Sequence, residues 1–173
     1  MINYKSDSLT IEEQKKLLEH AKSYEDVVLF KLALQTGIRR EDIVKIQLGN
    51  VNVTARSITF WEAKKKRFWT VPISKGLIMD IVRYKLSLPK GHKLLFGFTG
   101  RTAYNKLQKT LLNAGIKKHI SFHDLRRSFV KTAKRQGLSD KAIQQITGDT
   151  QKVLQRHYEN LDQDELKEEI DKL

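Results

Sequence analysis

Four short stretches of the sequence hold the residues best suited to chemistry. They are "TGIRRED" (36–42), "EAKKKRFWTVP" (62–72), "HDLRR" (123–127) and "TGDTQKVLQRHYENL" (147–161). Guanidinium groups stay charged at any relevant pH and grip phosphate oxygens bidentately. Histidine and lysine can transfer protons, and tyrosine can act as a nucleophile. This inventory suits attack on a phosphodiester without a metal ion.

The third and fourth stretches supply a histidine and a tyrosine that can work together. A tyrosine hydroxyl has a reference pKa of about 10, so it attacks phosphorus well only when a neighbouring group accepts its proton. If 122–136 is helical, His123 and Arg126 lie on one face and can act on the same phosphate. A lysine can then protonate the departing 5′ oxygen. Taken alone, His123 is more typical of a helix cap or a core histidine.

Other reaction classes lack their motifs in this chain. It contains no glycine-rich phosphate loop, no HExxH and no serine nucleophile elbow, which argues against nucleotide hydrolases, zinc proteases and α/β-hydrolases. His119 and His123 have the spacing of one helix face, but no acids accompany them at matching spacing. No metal site is therefore predicted.

Composition indicates one globular domain with a polyanionic partner. The 173 residues are 39% hydrophobic, and 33 Lys and Arg against 20 Asp and Glu give a formal charge of +13, which makes nucleic acid the first candidate partner. There is no cysteine, so disulfides and thiolate metal sites are excluded. Without a secretory signal or a membrane-spanning apolar run, we expect an intracellular (cytoplasmic) protein with no membrane partner.

The C-terminal segment has the opposite charge. Residues 162–173, "DQDELKEEIDKL", carry a net charge of −4, which leaves +17 on residues 1–161. Leu166, Ile170 and Leu173 form one helical stripe. This acidic helix either packs on its own domain or docks on a neighbouring subunit.

Local patterns predict a mainly α fold with a small three-stranded antiparallel sheet (α+β). The strands are "NVNVT", "SITFWEA" and "RFWTVPI", which are rich in β-branched and aromatic residues. Capping signals, apolar periodicity and glycine positions predict the helices; these cover Thr10 to Lys22, Tyr24 to Gln35, a short helix in "RREDIVKIQ", Lys75 to Leu88, Arg101 to Ala114, Phe122 to Gln136, Asp140 to Thr147 and Thr150 to Tyr158.

Taken together, the four stretches resemble the catalytic domain of the tyrosine recombinases, the phage-type and Xer-like integrase family. The motifs occur in the family's order over roughly residues 9–161. The resemblance implies the family's catalytic-domain fold and a site-specific recombinase that cleaves and rejoins double-stranded DNA through a 3′-phosphotyrosyl intermediate. It also implies tetramer formation on DNA and no cofactor. The family's N-terminal DNA-clamping domain is expected to be absent from this single-domain chain (1–173).

The resemblance assigns roles residue by residue. "TGIRRED" matches TGxRxxE, so Arg39 is the first catalytic arginine and Asp42 replaces the supporting Glu. Lys64 lies eight residues before Pro72, as the catalytic lysine does. "HDLRR" matches HxLRH and gives His123 and Arg126. Tyr158 lies nine residues after Asp149, which is the spacing between the family's LGH histidine and its nucleophile. The predicted DNA-binding residues are Arg40, Lys65, Lys66, Arg67, Arg127 and Lys131.

One position departs from the family pattern in a way that matters for chemistry. Asp149 stands where the family has His or Trp, and a carboxylate cannot donate a hydrogen bond to phosphate unless it is protonated. Either His157 or Arg156 takes that role, or activity is reduced.

Three further alternatives stay open. Arg39 can cap a helix end or pair with Asp42 instead of serving catalysis. A type IB topoisomerase uses similar chemistry but rejoins the original ends. In a third alternative, the chain is a non-catalytic DNA-binding module in which "GLSDKAIQQITGDTQKVLQRHYENL" forms a helix-turn-helix. This alternative explains the charge but leaves Arg39, Lys64 and the His123–Arg126 pair as coincidences.

Overall fold

The structure is a computed structural model that describes residues 7–150 and residue 152. The predicted class is confirmed. A three-stranded antiparallel sheet in the order β1-β2-β3 is set among seven α-helices within these residues. The helices are α1 (Ile11–Glu19), α2 (Tyr24–Thr36), α3 (Arg40–Ile43), α4 (Lys75–Leu86), α5 (Gly100–Asn113), α6 (Phe122–Arg135) and α7 (Asp140–Thr147).

The helix starts follow the predicted capping signals. Thr10 and Glu13 form a reciprocal capping box at the start of α1, and Ser121 and Asp124 do the same for α6. In both cases the side chains satisfy backbone N–H groups that have no partner inside the helix. The first turn of α6 is therefore fixed, and with it the direction of the side chains that follow.

Two helices end two or more residues earlier than predicted, and α5 and α6 end one residue earlier. The segment predicted to extend to Lys22 ends at Glu19, where the chain tightens into i→i−3 hydrogen bonds. The segment predicted to extend to Leu88 ends at Leu86, because the hydroxyl of Ser87 donates to the carbonyl of Tyr84 at 2.7 Å. Serine hydroxyls that bond to nearby carbonyls compete with the helical pattern.

The sheet is dominated by one hairpin. Strands β2 (Ser57–Glu62) and β3 (Arg67–Pro72) pair along their whole length, from Ser57 opposite Pro72 to Glu62 opposite Arg67. Strand β1 (Val51–Asn52) is shorter than predicted, because the Asn52 side chain accepts the N–H of Ala55 at 2.8 Å and turns the chain. The hairpin is thus the fully paired part of the sheet, and residues 63–66 form its closed end.

Helix α2 lies at the centre of the core. Most of its residues are buried, and it packs against both α4 and α6. A helix that is apolar nearly all round is typical of an element with neighbours on every side. Its buried residues are Val28, Leu29, Phe30, Leu32, Ala33, Leu34 and Thr36. The C-terminal end of α2, where "TGIRRED" begins, is held in place by this packing. Within the described residues no helix is long and apolar enough to cross a membrane.

Gly37 should tolerate a side chain much less well than a comparable glycine elsewhere. Its φ is +64°, and an added Cβ would lie 3.1 Å from Phe129 Cδ1 and 3.2 Å from Arg126 Cγ. Gly115 has a similar φ of +67° but open space around its Cβ position. The left-handed backbone costs an L-residue about 1–2 kcal/mol, and close packing adds about 1–3 kcal/mol.

We therefore expect Gly37→Ala to lower the free energy of unfolding by at least ~1 kcal/mol more than Gly115→Ala. Urea denaturation of both variants measures the difference. Equal losses for the two variants would show that the space around Gly37 is not limiting.

Candidate active site

Two helix ends with the same sequence and geometry contact Arg126 of the candidate site. Helix α2 ends in Thr36-Gly37 and α7 ends in Thr147-Gly148. In each, the threonine hydroxyl donates to the carbonyl four residues earlier, at 2.5 and 2.9 Å, and accepts the N–H two residues later, at 3.3 and 3.1 Å. Both glycines are left-handed, with φ of 64° and 70°. These turns fix the residues that follow them.

Arg126 joins the two helix ends. Its side chain projects from α6, the residue is only 5% exposed, and its guanidinium donates to the carbonyls of Gly37 and Thr147, the latter at 2.9 Å. Carbonyls at helix C-termini carry partial negative charge and suit a cation. Burial lowers the pKa of Arg126, while the carboxylate of Asp149 acts in the opposite direction.

The two predicted catalytic arginines share a carboxylate. Asp149 Oδ1 lies 3.3 Å from Arg39 Nη2, and Asp149 Oδ2 lies 2.6 Å from Arg126 Nη2. Arg39 also pairs with Glu62, at 2.8 Å between Nη1 and Oε1. The ion pairs of Arg39 are therefore with Glu62 and Asp149 and not with Asp42, the partner considered from the sequence. Its backbone is the N-cap of α3, but its side chain makes no capping hydrogen bond.

Glu62 is part of the candidate site through its ion pairs with Arg39 and Arg67, and the sequence did not lead us to expect it. It ends β2 with its side chain 2% exposed, and its other oxygen accepts from Arg67 Nε at 2.8 Å. Ile58, Phe60 and Glu62 are the buried members of the alternating strand. That alternation was the available signal, because a carboxylate at an inward position needs a cationic partner.

The hairpin is locked against the end of α7. The guanidinium of Arg67 lies 3.8 Å from the ring centroid of Trp69, and the Trp69 indole donates to the carbonyl of Ile146 at 3.4 Å. A Cβ on Gly148 would lie 2.8 Å from Arg67 Nη2. Any other residue at this position would displace the Arg67 guanidinium, so the "TGD" turn and the hairpin fit each other.

The three consecutive lysines of the hairpin turn have different surroundings. Lys64 lines the cavity in front of the arginines, whereas Lys65 Nζ donates to the carbonyl of Gly148. Lys66 adopts a positive φ of 51° in the turn. The three neighbours thus have different positions, and of these lysines it is Lys64, the one chosen by its spacing from Pro72, that lines the cavity.

A cavity of about 450 Å³ brings four of the predicted catalytic residues together. His123 lies in the first turn of α6 and is exposed, while Asp149 is not part of the cavity wall but contacts both arginines. Tyr158 lies outside the described residues, as do His157 and Arg156. The cavity is lined by Arg39, Arg40, Glu41, Asp42, Ala63, Lys64, Ser121, Phe122, His123 and Arg126.

Of the remaining predicted DNA contacts, Arg40 lines this cavity, and all of them stay predictions. Arg40 pairs with Glu41 at 2.8 Å, and Arg127 pairs with Asp124 at 3.4 Å. Lys131 follows one turn later on α6. Over the described part of the chain, no group of three or more His, Cys, Asp or Glu side chains is arranged to hold a metal ion.

Comparison with known proteins identifies the family. The profile described as "Phage integrase family" matches residues 7–165. The chain belongs to the phage integrase family. It is 25% identical over 172 residues to the tyrosine recombinase XerA of Pyrococcus horikoshii, covering 95% of this chain and 60% of XerA. It is also 25% identical to a tyrosine recombinase of Pseudothermotoga lettingae, covering 82% of this chain and 52% of that protein. The chain therefore spans between half and three-fifths of these relatives.

Solved structures of this integrase family share the fold. The XerA recombinase crystal structure superposes with a TM-score of 0.85 at 22% identity, covering 95% of this chain and 64% of XerA. The catalytic domain of bacteriophage HP1 integrase gives 0.70 at 24% identity and covers 88% of this chain and 87% of that domain. The predicted tyrosine recombinase catalytic-domain fold is thus confirmed.

Asp42, which occupies the integrase family's supporting-Glu position, makes the stability of the folded protein depend on pH. Asp42 is buried and accepts the N–H of Ala63 at 3.3 Å, and burial raises the pKa of its carboxyl. The folded protein therefore binds this proton more tightly than the unfolded chain does. Protonated Asp42 contributes its full stability below pH ~4, the pKa of an aspartate carboxyl in the unfolded chain. This contribution is lost as the pH rises through the higher pKa that the carboxyl has in the folded protein.

We expect Asp42→Asn to gain stability relative to wild type as the pH rises above about 4, because the amide still accepts the Ala63 N–H without carrying a buried charge. Urea denaturation between pH 3.5 and 7 measures the trend. Glu41→Gln removes an exposed carboxylate from the same helix and serves as the control. A constant difference between Asp42→Asn and wild type over this range would contradict the prediction.

Proposed function

We propose that this chain is the catalytic part of a site-specific DNA recombinase that breaks one strand through a 3′-phosphotyrosyl bond and rejoins it to a different 5′-hydroxyl. One observation carries the proposal. Arg39, Lys64, His123 and Arg126 come from three separate stretches of sequence and line one cavity. Coincidental surface charges would not converge on one cavity in this way.

The geometry supports a division of roles on a phosphodiester. The two arginines lie at one wall of the cavity, where they can stabilise negative charge on the non-bridging oxygens as the transition state forms. The Tyr158 oxygen attacks phosphorus and its proton passes to His123 or to solvent. The 5′ oxygen leaves with a proton from Lys64. The reverse sequence, with a new 5′-hydroxyl as nucleophile, rejoins the strand.

Double-stranded DNA is the proposed partner. Residues 1–161 carry a formal charge of +17, which suits a polyanion. Two structural neighbours were determined with DNA: XerH bound to a palindromic difH substrate and a lambda integrase dimer bound to a COC′ core site. We propose a tetramer on DNA, with the acidic segment 162–173 on the chain's own surface or on a neighbour. That segment lies outside the described residues.

The helix-turn-helix alternative has less support from the packing. Helix α7 buries Ile143 against α6, and its C-terminal turn holds Arg126 and Asp149. These contacts give α7, the first helix of that motif, a part in building the site around Arg126, whereas the second helix, the one expected to enter a groove, lies mostly outside the described residues. No observation favours the topoisomerase alternative.

Covalent trapping tests the proposal directly. We expect the wild-type protein to form a covalent adduct with a nicked suicide substrate, and Tyr158→Phe to form none, because phenylalanine has no nucleophilic oxygen. Tyr104→Phe, on α5, is the matched control and should behave as wild type. Denaturing gel electrophoresis detects the adduct. A wild-type protein without adduct, or an adduct in Tyr158→Phe, would refute the assignment.

The proposed proton donor has a matched control in the same turn. We expect Lys64→Ala to slow adduct formation by about 10²–10⁴-fold, the usual contribution of general acid catalysis, while Lys66→Ala lowers mainly DNA affinity. A substrate with sulfur at the bridging 5′ position needs no proton on its leaving group. Lys64→Ala should regain speed on it, and an equal defect on both substrates would remove Lys64 from this role.

A further inference from the structure

The residue that departs from the family pattern is also the one that links the two arginines. We propose that Asp149 is a positioning residue: its carboxylate holds the guanidinium groups of Arg39 and Arg126 side by side, ready for a phosphate. It takes the place of a side chain that would donate to the phosphate itself. The proposal rests on the proposed function, since it concerns how the same arginines act.

The contacts show a two-sided bridge. Oδ1 faces Arg39 Nη2 at 3.3 Å, while Oδ2 faces Arg126 at 2.6 Å from Nη2 and 3.2 Å from Nε. Two guanidinium groups this close repel each other, and the proximity of Arg39 contributes to lowering the pKa of Arg126. In a partly buried site such repulsion is only weakly screened. The shared carboxylate offsets it before any DNA arrives.

The location of Asp149 separates it from the phosphate. Its side chain is 7% exposed, and it does not contribute to the wall of the cavity that Arg39 and Arg126 line. A guanidinium has five N–H donors, and Arg39 uses two of them on carboxylates within the described part of the chain. Arg126 directs its three nitrogens to the carbonyls of Gly37 and Thr147 and to Asp149. A phosphate in the cavity therefore has more donors available on Arg39 than on Arg126.

Asp149 is itself firmly placed. Its backbone N–H donates to Thr147 Oγ1 at 3.1 Å. The two carbonyls that precede it in the chain are also hydrogen-bonded: that of Thr147 accepts from Arg126, and that of Gly148 accepts from Lys65. A side chain on such a fixed turn can determine the position of its partners. This is the arrangement expected of a group that preorganises a site.

The chemistry excludes a direct role in holding the phosphate. An ionised carboxylate has no proton to donate, and like charges repel across a short distance. Any help that Asp149 gives must pass through the arginines. Its loss should therefore slow the chemical step more than it weakens DNA binding, because a small misplacement of groups around a reacting centre costs about 10²-fold in rate.

The experiment compares D149N, D149E and D140N. Asp140 is the matched control, since it is an aspartate at the start of α7, the helix that precedes Asp149, and it pairs with Lys134 instead of the site arginines. At saturating nicked DNA we expect D149N to form adduct about 10- to 100-fold more slowly than wild type, with DNA affinity unchanged or tighter. D149E keeps the charge but displaces it by one methylene, so its rate should fall between D149N and wild type. D140N should match wild type in rate.

Inorganic phosphate provides a readout that does not depend on recombination. Positioning predicts that D149N binds phosphate more weakly than wild type, measured by calorimetry, although the protein has lost a negative charge. Thermal unfolding establishes that each variant is folded, and D149E replaces D149N in both assays if D149N does not fold.

The outcomes separate the two proposals. Tighter phosphate binding with faster adduct formation in D149N would show that Asp149 blocks the arginines as a phosphate mimic, which overturns the positioning role. An unchanged rate with a lowered melting temperature would show a purely structural ion pair and would also overturn it. A wild type that forms no adduct, with phosphate binding still weakened in D149N, would refute the recombinase assignment and leave the positioning role in place.

Discussion

The buried guanidinium of Arg126 is the interaction on which the site depends. A cation with 5% exposure is costly to remove from water unless charge and hydrogen bonds compensate it. Here the compensation comes from three directions: the carbonyl of Gly37 at the end of α2, the carbonyl of Thr147 at the end of α7, and the carboxylate of Asp149. Arg126 thereby holds two helix ends that are far apart in sequence against the same face of α6.

This requirement explains why "TG" occurs at both helix ends. A carbonyl can turn toward Arg126 only if the helix stops sharply, and a left-handed glycine after a threonine does this at Gly37 and at Gly148. At each glycine other groups also approach closely, so an added side chain would require Phe129 and Arg126 at Gly37, or Arg67 at Gly148, to shift. The motif residues that resemble a catalytic signature are thus, in part, the residues that build the turns.

Much of the fold was predictable because it depends on local signals. The cap at Thr10, the stop at Gly37 and the whole of α7 follow from neighbouring residues, as does the β2–β3 pairing. The charge partners were not predictable in the same way. Arg39 meets Glu62 across 23 positions and Asp149 across 110, and no periodicity encodes such distances. The sequence marked Asp149 as unable to donate to a phosphate but could not indicate that it bridges both arginines.

The balance of charge in the cluster connects stability to function. Three guanidinium groups, on Arg39, Arg67 and Arg126, are linked through two carboxylates, on Glu62 and Asp149, so the cluster keeps one net positive charge. Without the carboxylates, three cations would have to share a partly buried space, and the folded state would lose stability through repulsion. With a third carboxylate the cluster would be neutral and would attract a phosphate much less. The observed count offsets the repulsion among the arginines, and under the proposed function a phosphodiester, with its single negative charge, is the group that would complete the balance.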